Sequence, residues 1–211
     1  MIIVIGGIKG GSGKTTIATN LAVMRSAFKK VLLVDADEQK SAWDWSQQRE
    51  ACKRALLKGV FPTVCMSGKS IHANLARLED DYEDIIVDTG GRDTTSQRSA
   101  LCVADRFILP FKPSSIDIWT LIPIKQILDE CLNENLKVYA VISQADSVGK
   151  DNHEAIEILR EFENVQTIDT TIGNRKAFRN AASEGIGVCE LFPEDKKASM
   201  EMQNLYDIIY I

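Results

Sequence analysis

Residues 8–16 read Ile8-Lys9-Gly10-Gly11-Ser12-Gly13-Lys14-Thr15-Thr16 and stand between two stretches of opposite character. Before them runs a β-branched segment, Ile2 to Ile5, that predicts a buried strand, and after them a helical pattern begins near Lys14. Glycines in such a strand-to-helix turn let successive backbone N–H groups point into one concavity, which with the helix N-terminus holds phosphate oxygens. Lys14 is then placed to neutralise β- and γ-phosphates, and Thr15 to offer its hydroxyl to Mg²⁺. Gly10, Gly11, Ser12, Gly13 and Thr16 complete the candidate nucleotide-binding set, and the cofactors it calls for are ATP and Mg²⁺. An incidental glycine-rich turn is the competing reading, but at average glycine and lysine usage the pattern arises by chance in on the order of one in ten thousand such chains or fewer. The usual form of this loop carries glycine where the chain has Ile8, so the match is to a variant.

Outward from the loop, apolar runs recur at Val31 to Val34, Thr63 to Met66, Ile85 to Val87, Phe107 to Leu109, Val138 to Ile142 and Val165 to Ile168. Continuous rather than alternating apolar character marks strands covered on both faces, hence a mainly parallel sheet. Amphipathic stretches lie between them: Ser41 to Ala55, Ile71 to Asp81, Ser96 to Cys102, Ile116 to Asn133, His153 to Phe162, Asn174 to Glu184 and Lys196 to Tyr210, with Pro123 expected to kink or split its helix. Alternating strand and helix give an α/β class, three layers with a twisted sheet between helices. With 211 residues and no linker or repeat, the expectation is one domain over residues 1–211. A hydrophobic fraction of 45% and a charged fraction of 26% exclude disordered and fibrous classes. The net charge of −5 argues against a chain coated in nucleic acid, leaving room for a local basic face. Five cysteines without a C-x-x-C pair fit a reducing, cytoplasmic compartment, and the first apolar run is too short for a membrane span.

Two acidic motifs follow strands. Asp35-Ala36-Asp37-Glu38-Gln39 closes the second predicted strand, at the end where ligands bind in open α/β sheets. Ile85-Ile86-Val87-Asp88-Thr89-Gly90-Gly91 ends the fourth with an acid suited to Mg²⁺ or its waters, then two glycines that let the loop reorganise when a γ-phosphate is lost. These three motifs together resemble the deviant Walker A family, which includes ParA partition proteins, MinD, ArsA and the nitrogenase iron protein. The resemblance implies a P-loop NTPase fold and an Mg²⁺-dependent ATPase. It implies that Lys9 crosses a dimer interface to the partner's nucleotide, that Asp35 supports the Mg²⁺ shell and that Asp37 positions the attacking water. Lys9, Lys14 and Asp37 are then the catalytic set, and Thr15, Asp35 and Asp88 the metal set. Glu38 stands where the family has proline. No arginine finger is obvious, so slow turnover accelerated by a partner is expected.

Within the family, Ser41-Ala42-Trp43-Asp44-Trp45, Leu109-Pro110-Phe111-Lys112-Pro113-Ser114 and Thr171-Ile172-Gly173-Asn174-Arg175-Lys176-Ala177-Phe178 look like the short ParA group without an N-terminal DNA-binding domain. That resemblance implies an ATP-sandwich homodimer that binds DNA without sequence preference and is stimulated by a ParB-like adaptor. Its setting would be the nucleoid, its task segregation of plasmid or chromosomal DNA. The alternative is a positioning ATPase for a protein cargo such as a microcompartment or chemoreceptor cluster; a small-molecule P-loop ligase or kinase is the third reading. Arg175, Lys176 and Arg179, with Lys196 and Lys197, are the candidate DNA contacts, an ordinary solvated face being the bland reading. Met200 to Ile211 carries no basic residue, so a helix docked on the core is expected rather than a membrane-surface helix. Leu101-Cys102-Val103 reads as buried helix, which sets aside a cluster-ligating cysteine. Trp43 and Trp45 are expected in core or dimer contacts, and His72 and His153 on the surface.

Overall fold

Strands that are apolar on both sides need cover on both sides, and the helices between them supply it. The computed structural model describes residues 1–56, 59–92, 94–116, 118–146 and 151–211. Its strands are β1 (Ile2–Ile5), β2 (Val31–Asp35), β3 (Thr63–Cys65), β4 (Asp84–Asp88), β5 (Arg106–Phe111), β6 (Lys137–Ala145) and β7 (Gln166–Gly173). They form a seven-stranded sheet in the order β3-β2-β4-β1-β5-β6-β7, with every pairing parallel. The helices are α1 (Lys14–Ser26), α2 (Ser41–Ala51), α3 (Lys53–Leu56), α4 (Ile71–Leu78), α5 (Thr95–Leu101), α6 (Ile118–Asp129), α7 (Asp151–Arg160), α8 (Lys176–Ser183) and α9 (Lys196–Tyr210).

The period-two geometry of β1 divides the core. Ile3 and Ile5 join a cluster with Ile17 and Leu21 of α1, Trp45 of α2, Phe178 of α8 and Met202 and Leu205 of α9. Ile2 and Val4 face the other way, onto Leu75 of α4, Leu101 of α5, Ile124 of α6 and Leu159 of α7. This is the expected three-layer α/β arrangement.

Differences from the sequence reading are local. The helix expected over Ser41 to Ala55 breaks at Cys52, whose extended backbone separates α2 from α3. Pro123 lies inside α6 without splitting it; residue 117, in the predicted first turn, lies outside the described residues. Cys102 is exposed, not buried: it caps the end of α5 and its Sγ lies 3.4 Å from the Arg98 carbonyl. Trp45 is buried against Phe61, with centroids 6.1 Å apart, while Trp43 is half-buried. His72 and His153 are exposed. Ala198, Met202, Leu205 and Ile209 line the buried face of α9, so the terminal helix docks on the core, started by Asp195 Oδ1 accepting from the Lys197 and Ala198 amides at 3.2 and 3.1 Å. Among the described residues no helix is long and apolar enough to cross a membrane.

One buried charge pair fastens α2 to the segment before α9. The Arg49 guanidinium meets both Glu190 oxygens at 2.8 and 3.0 Å, donates to the Gly185 and Gly59 carbonyls at 3.2 and 3.0 Å, and lies over the Trp45 and Phe61 rings. Both side chains are 2% exposed, so removing one partner strands the other in a dry site. Glu190→Ala is therefore expected to lower unfolding free energy by about 3–5 kcal/mol in urea titrations; a loss below about 1 kcal/mol would show that the pair holds nothing.

Candidate functional site

Parallel pairing brings the C-terminal ends of β2, β4 and β1 side by side, with Asp35 opposite Asp88 and Asp88 opposite Ile5. The turn from β1 into α1 needs left-handed backbone at Gly11 (φ 68°) and Gly13 (φ 90°), and a Cβ on Gly13 would lie 2.5 Å from Ser143 Oγ. Lys14, the first residue of α1, is buried, and its Nζ donates to the Lys9 carbonyl at 2.9 Å. Burial lowers its pKa, against the pull of Asp88 and Asp37. Thr15 Oγ1 donates to Asp88 Oδ2 at 2.6 Å, while Asp88 Oδ1 is buried and, among the described residues, without a hydrogen-bond partner. Burial pushes the Asp88 pKa up to about 7; the Thr15 bond and Lys14 oppose the rise, and Asp35 and Asp37 add to it.

Asp35 commits both carboxylate oxygens to backbone: Oδ1 accepts from the Asp37 amide at 3.0 Å and Oδ2 from the Trp43 amide at 2.8 Å. Burial raises its pKa against those amides and that of Ala42. Its role in this geometry is to set the turn that carries Asp37. Asp37 is half-buried, and Oδ1 accepts from the Gln39 amide at 3.1 Å. The loop after β4 passes between Asp37 and the glycine turn: a Cβ on Gly90 would be 3.3 Å from Asp37 Oδ1, and one on Gly91 would be 2.6 Å from the Gly10 backbone. These elements enclose an open cleft of about 1120 Å³ whose wall includes Gly10, Lys14, Thr15, Asp37, Arg92 and Gln144.

A nucleotide and a divalent cation fit this cleft on its own chemistry. The glycine turn is a backbone cradle ahead of a helix. The unpartnered Asp88 oxygen beside the Thr15 hydroxyl is a pair of hard oxygen donors, the kind Mg²⁺ takes. The model for the CobQ/CobB/MinD/ParA nucleotide binding domain matches residues 3–188. The chain belongs to this family. A relative named maintenance of carboxysome distribution protein A, from Halothiobacillus neapolitanus, is 25% identical over 207 residues, covering 95% of this chain and 92% of its own. A protein of the same name from Gloeobacter kilaueensis is 30% identical over 186 residues, covering 86% and 81%. Among solved structures, one described as a plasmid partition protein of Borrelia burgdorferi B31 bound to AMPPNP superimposes with a TM-score of 0.76 at 22% identity, over 99% of this chain and 97% of that one.

The fold of this ParA/MinD family distributes the expected residues unevenly. Gly10, Gly11, Gly13, Lys14, Thr15, Thr16 and Asp37 lie together on the cleft wall, and Asp88 stands behind Thr15. Lys9 is exposed and, with Ser12, lines a separate small pocket near Leu109 and Phe111. Arg175 is not presented as a bare cation: it is bound to Glu201 of α9 at 2.5–3.0 Å, which cancels its charge. Lys176 and Arg179 of α8 are exposed, Arg179 contacting Asn174 Oδ1 at 3.0 Å, and Lys196 and Lys197 are exposed on α9. Sequence reasoning missed three side chains. Gln144, at φ 56°, donates from Nε2 to the Gly11 carbonyl at 2.6 Å; Gln97 Oε1 accepts from the Gly7 amide at 2.8 Å; Arg92 faces the cleft. For Gln144 a signal existed, since it lies just past the predicted run Val138 to Ile142, at the C-terminal end of a parallel strand where ligands gather.

The raised pKa of Asp88 fixes a pH dependence. A carboxyl whose folded pKa exceeds its unfolded value favours the fold below about 4 and loses that contribution as pH rises through about 7. In metal-free, nucleotide-free protein, Asp88→Asn is expected to raise stability by about 1–4 kcal/mol at pH 8 and to change it little below pH 4. Thermal melts across that range, with and without Mg²⁺, measure it; a variant less stable than wild type at pH 8 contradicts the assignment.

Proposed function

We propose that this chain is a ParA-type positioning ATPase: a homodimer closed by ATP that holds DNA without sequence preference and distributes a protein cargo, released when a partner stimulates hydrolysis. The observation that carries the ATPase reading is the joining of Lys14, Thr15, Asp37 and the orphaned Asp88 oxygen around one glycine cradle. The names of the two relatives favour a protein cargo over a plasmid. Plasmid partition, the first expectation from the sequence, has the Borrelia structure on its side, but likeness at 22% identity speaks for the fold alone.

Each residue has a task in this reading. The Gly10–Gly13 amides bind phosphate oxygens, and Lys14 exchanges its contact with the Lys9 carbonyl for the β- and γ-phosphates. Thr15 and Asp88 hold Mg²⁺, which neutralises phosphate charge. Asp37 accepts a hydrogen bond from the attacking water and so aims it. Lys9, exposed outside its own cleft, reaches the nucleotide of the second subunit. Lys176 and Arg179 give phosphate contacts to DNA, with Arg175 acting as a brace to Glu201.

Light scattering with and without Mg²⁺ and ATP tests the dimer: wild type is expected to double in mass and Lys14→Ala to stay monomeric. A wild-type monomer indifferent to nucleotide would sink the model. Asp37→Ala is expected to keep the ATP-dependent dimer while losing about 10²-fold or more in turnover. Lys176→Ala with Arg179→Ala is expected to flatten the salt dependence of DNA affinity by about two phosphate contacts per subunit. Unchanged DNA binding would move that surface elsewhere. Deleting the gene and imaging candidate cargo against plasmid retention separates the two biological readings.

A further inference from the structure

The loop after β4 is anchored at both ends. Thr89 Oγ1 lies 3.1 Å from the Ile5 carbonyl and 3.0 Å from Gln97 Oε1, and Thr94 Oγ1 accepts from the Gln97 amide at 3.1 Å to cap α5. Between these anchors the backbone turns through Gly90, beside Asp37, and Gly91, pressed on Gly10. The next residue, Arg92, is exposed and forms part of the cleft wall.

The charge inventory gives this position its meaning. Among the described residues of the cleft wall, the cationic side chains are Lys14 and Arg92, while Asp37 and Glu38 line the same wall; Asp88 and Asp35 close the paired ends of β4 and β2, and Lys112 Nζ, in the neighbouring pocket, lies 3.6 Å from where a Cβ on Gly11 would be. A triphosphate with one Mg²⁺ still carries negative charge, which phosphoryl transfer spreads over the three equatorial oxygens of the γ-phosphoryl group. Lys14 is a single point charge. A guanidinium adds a planar fork able to engage two oxygens at once. The contact between Gly91 and Gly10 holds the backbone of Arg92 one residue from the phosphate cradle.

We propose that Arg92 is a second cation of the cleft, supplied by the same subunit, that engages the γ-phosphate of ATP and has no counterpart to hold when ADP remains. Any bond to the γ-phosphate then draws on the loop tied through Gln97 to Thr89 and to the Gly7 amide, so the same arginine distinguishes the two nucleotides and reports that difference to α5. This rests on the reading of the cleft as an ATP site.

Calorimetric titration of wild type, Arg92→Ala and Arg92→Lys with AMPPNP and with ADP, each with Mg²⁺, separates the two claims. Wild type is expected to bind both. Arg92→Ala is expected to keep ADP affinity within about twofold, to lose about tenfold or more in AMPPNP affinity and to lose about 10²-fold or more in turnover, with Arg92→Lys recovering only part. Retained ADP binding also shows that the exposed substitution leaves the fold intact. AMPPNP affinity unchanged in Arg92→Ala, or an equal loss for both nucleotides, overturns the γ-phosphate contact while leaving the ATP site standing. A wild type that binds neither nucleotide overturns the ATP site and this inference with it.

Discussion

A parallel sheet delivers the C-terminal ends of its strands to one edge, and in this protein that edge holds four acids, Asp35, Asp37, Glu38 and Asp88, at or just beyond the ends of β2 and β4. Asp35 and Asp88 are paired in register and both are nearly inaccessible to water. Two buried carboxyls side by side repel and are poorly solvated, so the fold has to answer for each. Asp35 is answered by backbone amides at both oxygens, whereas Asp88 is answered at one oxygen by Thr15 and at the other by nothing within the described residues. That asymmetry assigns the two acids different work. One organises a turn; the other leaves an oxygen open beside the Thr15 hydroxyl, where the proposed Mg²⁺ would offset the cost of its burial.

The arrangement of α2 follows from the same acid. Its first turn begins where Asp35 accepts the Trp43 amide, and its last turn carries Arg49 into the Glu190 pair. Helix propensity does not explain why this segment stays in place, since its N-cap residue, Lys40, makes no side-chain capping bond. Tertiary bonds at both ends do so instead, which is the usual origin of helical stability in a folded chain.

Much of this was legible in the chain. Seven apolar runs became seven strands in the expected class, because parallel strands covered on both faces leave an unbroken apolar signature. The phosphate cradle and both acidic motifs were legible because they are local: each is a short stretch at a strand end. What escaped was non-local. The pairing of Arg175 with Glu201 joins residues 26 apart and turned a predicted surface cation into a brace. Gln144 reaches Gly11 across 133 residues, and Arg49 reaches Glu190 across 141. Cys102 misled for a different reason: an apolar neighbour on each side says nothing about which way the last turn of a short helix faces.

The glycines of the cleft also differ in what they permit. Gly91 cannot carry a side chain because the Gly10 backbone is already there, and Gly13 is closed off by Ser143 and by its left-handed backbone. Among the described residues, nothing lies within 4 Å of where a Cβ on Gly10 would be. A substitution library over these positions would thus divide sharply: variants at 91 and 13 would be lost at the stage of folding the loop, while variants at 10 would survive selection for a folded chain and be removed only by selection for an occupied cleft. The two screens, run on the same library, would trace the boundary between what the polypeptide needs for itself and what it reserves for its ligand.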